Sequence, residues 1–334
     1  MKLVELQYGI ETLWSFKNDF IVKKGKIYSN SKKESINFES YKRVFYSNQY
    51  IFATINSDIE VYNLNFEKVS TFKADFPVGI TILEDISNYV IRCGKNEEKY
   101  LFYCENLFAK EEENIAGNLL NCKYRLHFTD PFSPPKYFRC SDLLDEQTYW
   151  EYDCGEGIET TNLWTVRGEY LVFCTHKSDF FAGKLVKINL QTGDIKWEVD
   201  IPNTFLLYNE EQGLLTSFWA SNVNGKNYLI IDIDKEQISI GEPITMNNLE
   251  NVNTFGQSQY LYGSKLYFTD NVHSYGDELR PIKFGCFNIE SKQVEFLQEL
   301  PQAAGGQFAQ VIYHTSKLYL RTSANELFVF EDDL

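Results

Sequence analysis

A chain of 334 residues that is 43% hydrophobic and 24% charged has ordinary globular composition, which excludes native disorder. Its formal charge of −15 and pI of 4.8 oppose phosphate, so nucleic acid and anionic membranes are excluded as general partners and a basic protein partner is favoured. No stretch approaches the roughly 20 apolar residues that cross a bilayer.

Met1-Lys2-Leu3-Val4-Glu5-Leu6 places an acid where a signal peptide needs an apolar run, so a cytoplasmic protein is expected. Seven cysteines (Cys93, Cys104, Cys122, Cys140, Cys154, Cys174, Cys286), odd in number and without a CxxC or adjacent pair, are expected as reduced thiols packed as small apolar residues. Aromatic residues reach 16%, and such bulky, planar side chains favour sheet over helix.

In chain order, Lys2 to Tyr8 reads as an orphan strand before a first repeating unit that begins near Thr12. An eight-residue pattern then recurs: apolar, Asn or Asp, apolar, four turn-like positions, apolar. Its clearest copies are Tyr62 to Val69, Ile188 to Ile195, Ile231 to Ile238 and Phe287 to Val294. In the best copy Val186, Ile188 and Leu190 alternate with polar residues. After Thr192-Gly193-Asp194, Ile195, Trp197, Val199 and Ile201 alternate again, as in a hairpin with one buried face.

The step from Ile188 to Ile231 is 43 residues and that from Tyr62 to Ile188 is 126, three steps of 42. A period of about 40 to 45 belongs to propeller blades. Weaker copies near Tyr28, Tyr103, Ser141 and Phe328 bring the expected count to about eight four-stranded blades, with seven as the alternative. The expected fold is a single all-β domain over 1–334, a β-propeller closed by Lys2 to Tyr8 completing the last blade.

The segment Gly183 to Pro202 (GKLVKINLQTGDIKWEVDIP) closely resembles the tryptophan-docking repeat of quinoprotein-type (PQQ-like) β-propellers. The resemblance implies structural roles for Gly193 and Trp197, the latter packed between blades. It does not carry the dehydrogenase activity of the family's enzymes, because the adjacent cysteine pair that grips their quinone is missing. The chain is similar to the family's degenerate, non-enzymatic scaffolds.

None of His127, His176, His273 and His314 stands three or four residues from another His or Cys, so no zinc-ligand spacing exists. GxSxG and GxxxxGK[ST] motifs are missing, and Gly305-Gly306 lacks the strand-glycine-helix context of a nucleotide fingerprint. Asp232 and Asp234 beside a strand lack the twelve-residue calcium pattern. The acid pairs Asp277-Glu278 and Asp332-Asp333 serve glycoside chemistry only if folding sets the separation. No catalytic residue, metal or cofactor is therefore expected, and the chain is expected to act as a monomer.

The loops between second and third strands should share one face. The long ones are Asp130 to Lys136, His176 to Gly183, Ala220 to Gly225 and Asn271 to Pro281. The rim they raise carries Phe132, Phe180, Phe181, Trp219, His273, Tyr275, Asp277, Glu278 and Arg280, a mixture of aromatic anchors and charges typical of recognition surfaces. The expected function is capture of a basic protein partner, as by an inhibitor or immunity-type protein. The alternative is a hydrolase or lyase with its site in the central funnel.

Overall fold

The computed structural model describes residues 1–16, 18–23, 26–29, 35–37, 43–46, 50–55, 58–73, 78–84, 89–95, 98–103, 106–111, 116–120, 123–128, 137–142, 147–177, 183–202, 204–223, 225–242, 244–246, 249, 252, 254, 259–270, 282–300 and 308–332. Every regular element among them is a β-strand.

The chain opens with β1 (Lys2–Tyr8). Seven antiparallel meanders follow: β2 (Ile10–Phe16), β3 (Asn18–Lys23), β4 (Lys26–Ser29) and β5 (Ser35–Asn37); β6 (Arg43–Tyr46), β7 (Tyr50–Ile55), β8 (Asp58–Asn63) and β9 (Lys68–Lys73); β10 (Val78–Glu84), β11 (Tyr89–Lys95), β12 (Glu98–Tyr103) and β13 (Asn106–Glu111); β14 (Ala116–Leu119), β15 (Tyr124–Phe128), β16 (Tyr137–Asp142) and β17 (Thr148–Asp153); β18 (Ile158–Arg167), β19 (Tyr170–Lys177), β20 (Gly183–Asn189) and β21 (Ile195–Ile201); β22 (Leu207–Asn209), β23 (Leu214–Val223), β24 (Lys226–Asp232) and β25 (Gln237–Ile240); β26 (Gln259–Tyr262), β27 (Lys265–Thr269), β28 (Lys283–Asn288) and β29 (Gln293–Glu299). The last sheet is β30 (Phe308–His314), β31 (Lys317–Thr322) and β32 (Glu326–Glu331), with β1 as its fourth strand.

The chain divides into two compact units. One comprises Met1–Asn37 with Thr204–Leu334, the other Phe38–Asn203.

The expectation of about eight equivalent blades, or seven, is corrected. Pairing sorts the strands into eight four-stranded sheets, but a blade also requires central strands buried on both faces. That packing is described for six: β7 and β8, β15 and β16, β19 and β20, β23 and β24, β27 and β28, β31 and β32 each carry runs of buried residues. In the sheet of β2–β5 only Ile10, Leu13 and Ile27 are described as buried, and the side chains of β10–β13 lie outside the described ones. Among the described residues, six blades are therefore supported.

The recurring Asn or Asp has a mechanical role. The Asn189 Oδ1 accepts the amides of Gln191 and Thr192 at 2.9 and 3.0 Å, and the Asn288 Oδ1 accepts those of Glu290 and Ser291 at 2.9 and 3.0 Å. The Asn63 Oδ1 accepts the Asn65 and Glu67 amides, and the Asp232 Oδ1 that of Lys235. Each side chain bends the chain between third and fourth strands by satisfying amides that the ladder no longer reaches. The apolar residue that follows is buried in three sheets. Its amide reaches back to the turn between first and second strands, from Leu190 to the Glu169 carbonyl, Ile233 to Gly213 and Ile289 to Ser264, at 2.9, 2.9 and 2.8 Å.

Within the second unit, the sheets of β14–β17 and β18–β21 are joined by Trp150, 7% exposed, whose indole N–H donates to the Leu190 carbonyl at 2.8 Å. A Cβ on Gly193 would stand 2.6 Å from the Trp150 Cβ, and Gly193 has a φ of +78°. Trp150 and Trp197 hold the same register position, opposite Cys140 and Lys187 and just past a one-residue bulge. Trp197 is half-buried.

In the first unit Phe218 stacks on Phe287 with centroids 4.7 Å apart, and Tyr267 on Tyr313 at 4.4 Å. Gln310 of β30 donates to the Leu13 carbonyl at 3.0 Å and accepts the Leu13 amide at 2.9 Å, so one side chain fastens β2 to the last sheet.

Replacing Gly193→Ala should lower the unfolding free energy by about 2 kcal/mol or more, through the left-handed backbone and the collision with Trp150. Urea titration followed by circular dichroism checks this.

Candidate functional site

Of the residues expected on a recognition rim, Trp219 is described. Phe132, Phe180, Phe181, His273, Tyr275, Asp277, Glu278 and Arg280 lie outside the described residues. Trp219 sits where β23 breaks register with β24, between Phe218↔Tyr228 and Val223↔Lys226.

The freed backbone groups find side-chain partners. The Asn227 Nδ2 donates to the Trp219 and Ala220 carbonyls at 2.5 and 3.2 Å, and its Oδ1 accepts the Ile244 amide at 2.6 Å. The Thr254 hydroxyl accepts the Ala220 amide at 3.2 Å and donates to the Phe218 carbonyl at 3.0 Å. The Gln259 Nε2 donates to the same carbonyl at 2.9 Å. Asn227 and Thr254 are buried, where unmet polar groups would cost about 1–3 kcal/mol each. The bulge is a held conformation.

The Trp219 indole N–H donates to the Thr204 Oγ1 at 3.0 Å, and Thr204 in turn contacts the buried Ser217 Oγ at 2.9 Å. Phe205, next in sequence, is 54% exposed. The entry to β22 and the exit of β23 lie at one end of the sheet, so a fixed indole and an exposed phenyl group share that end. Sequence reading missed Phe205, which follows Ile201-Pro202 in what reads as a plain connection. It also missed Thr254 and Asn227, whose roles depend on the bulge.

Among the described residues, His127 and Asp232 make structural contacts. The His127 Nε2 lies 2.6 Å from the Ser141 Oγ, a nucleophile-to-base distance, but both side chains are buried between central strands, where a substrate carbonyl has no approach. Asp232 caps its turn and pairs with the Lys235 Nζ at 2.7 Å. Among the described residues no group of three or more His, Cys, Asp or Glu is arranged to hold a metal ion.

Cys140, Cys154, Cys174 and Cys286 are free and buried, and burial pushes the thiols of the first three up to about 12 and raises that of Cys286 as well. Protonated, buried thiols are poor nucleophiles.

No family model matches the sequence, and no curated protein matches it. Among solved structures the chain is similar to the computationally designed protein Ika8, at 8% identity over 99% of this chain and 98% of that one, with a TM-score of 0.59. It is also similar to the Dos1 propeller, at 10% identity over 99% and 94% with a TM-score of 0.57. For BamB from Moraxella catarrhalis the figures are 8%, 99% of each chain and 0.53. The chain has an all-β propeller fold. Identities this low carry the fold and nothing finer.

Two outcomes are expected. Unfolded cysteines ionise near pH 8.5 while these three stay protonated to about 12, so their stabilising contribution is complete below about pH 8.5 and is lost as pH rises toward 12. The urea midpoint should therefore fall on the alkaline side, and peptide mapping should find these thiols unalkylated in native protein at about pH 8. Thr204→Val should release the Trp219 indole. Its N–H resonance, assigned through Trp219→Phe, should exchange with solvent about tenfold faster, as loss of one hydrogen bond predicts.

Proposed function

We propose that the chain is a non-catalytic, protein-binding propeller of the degenerate PQQ-like kind, acting as an inhibitor or immunity-type protein on a basic partner. The observation that carries this reading is the end of the β22–β25 sheet, where the Trp219 indole is hydrogen-bonded to Thr204 and the next residue, Phe205, is exposed. A binding surface gains affinity from aromatic anchors whose rotamers are fixed before the partner arrives, because less side-chain entropy is lost on association.

Charge supports the choice of partner. A net −15 accelerates encounter with a cationic surface and disfavours anionic ones. A cationic side chain also finds a favourable face on an indole or phenyl ring. Buried free thiols suit a reducing compartment, in keeping with a cytoplasmic protein acting as a monomer.

The test is capture from the native host at low salt, comparing the parent chain with a Phe205→Ser, Trp219→Phe double variant. Expected is a basic protein held by the parent, released by raised salt, and bound about 10- to 100-fold more weakly by the variant. Equal capture by both chains, or an acidic partner, would refute the reading.

A further inference from the structure

The fourth strand of a sheet leaves one row of amides and carbonyls without a ladder partner, and a flat row of this kind is a template for another strand. Most fourth strands here are spoiled as templates. β1, β9, β13, β17, β21 and β29 each shift register against the neighbouring strand, and such bulges twist an edge and disrupt its even spacing. β5 is unshifted but only three residues long.

β25 differs. It pairs with β24 from Asp232↔Gln237 to Leu229↔Ile240 with no shift. The Gly241 amide donates to the Tyr228 carbonyl at 3.1 Å, so by the alternation of antiparallel ladders Ser239 and Gln237 also face β24. The amides and carbonyls of Ile238 and Ile240 then point away from the sheet, and the Ile240 side chain is 41% exposed. First strands offer no equivalent opening in this unit, where β22, β26 and β30 lie beside one another.

We propose that the β25 edge accepts an extended basic segment of a partner protein as a fifth strand, bonded through the backbone of Ile238 and Ile240 and carrying an apolar side chain against Ile240. A second copy of this chain fits poorly. Two molecules of charge −15 repel, and an edge of four residues, about 13 Å long, falls far short of the roughly 1,600 Å² buried by a stable pairing. Net charge attracts a short cationic strand, although the Lys292 Nζ already reaches β25, donating to the Ser239 Oγ at 2.9 Å. This site is main-chain recognition at a sheet edge, independent of the aromatic pair at the loop end, so either can fail alone.

The probe is a capped ten-residue peptide of alternating Lys and Val, followed by fluorescence anisotropy at low salt. Expected is saturable binding that weakens about tenfold or more when the peptide is N-methylated on alternate residues, since each lost hydrogen bond to a backbone group removes a comparable factor. Ile238→Pro deletes an outward amide, which an edge strand tolerates, and should weaken binding similarly with an unchanged circular dichroism spectrum, whereas Ile238→Thr retains binding. A Glu-Val peptide should not bind. No binding of the Lys-Val peptide, equal binding of its N-methylated form, or equal binding of the Glu-Val peptide would each overturn the proposal. If Ile238→Pro fails to fold, the N-methylated peptide on the parent chain decides the matter.

Discussion

The structure depends on middle strands that are buried on both faces. Leu171–Thr175 and Leu185–Ile188 are buried without alternation, so each face of the sheet needs a neighbour pressed against it. A sheet of this kind cannot be stable alone, and the chain answers by repeating it. The recruitment of β1 follows from the same constraint. Leu327, Phe328, Val329 and Phe330 of β32 are all buried, which is possible because β1 covers the edge that a three-stranded sheet would leave open.

Stacking sheets that share no precise sequence requires something constant at their margins, and the turn between third and fourth strands supplies it. The Asn or Asp oxygen holds the turn whatever residues follow. Phe66, Glu236 and Lys292 tolerate positive φ in these turns, although such backbone costs a side-chain-bearing residue about 1 kcal/mol. Glycine is required at Gly193, where Trp150 of the adjacent sheet fills the space a Cβ would need. The glycine therefore stands where a tryptophan docks, and elsewhere the turn survives with cheaper residues.

Much of the fold was legible because its signals are local. Period-two alternation, the Asn and Asp turns, and the 42-residue step depend on neighbours in sequence, and so does the unpaired character of Lys2 to Tyr8. The blade count was read from period alone, which reports backbone spacing and not burial on both faces. Trp150 was illegible as a docking residue because its partner, Leu190, lies 40 residues away in another sheet. The candidate site was legible in one residue, Trp219, because a ten-residue strand looks like a strand and a loop until its register with β24 is known. Phe205 gave no local signal at all.

The bulge at Trp219 and the flat edge of β25 belong to one sheet and treat the backbone in opposite ways. At the bulge Asn227, Thr254 and Gln259 are all devoted to groups that an ordinary ladder would have satisfied without them. Dedicated polar side chains in a buried place carry a desolvation cost, so the distortion persists because the whole network is satisfied together. What that cost secures is position. The indole is held by Thr204, itself in contact with a buried serine, and a ring immobilised in the free protein loses little further freedom when a partner covers it. At the β25 edge the opposite holds, with regular backbone and its outward bonds unspent.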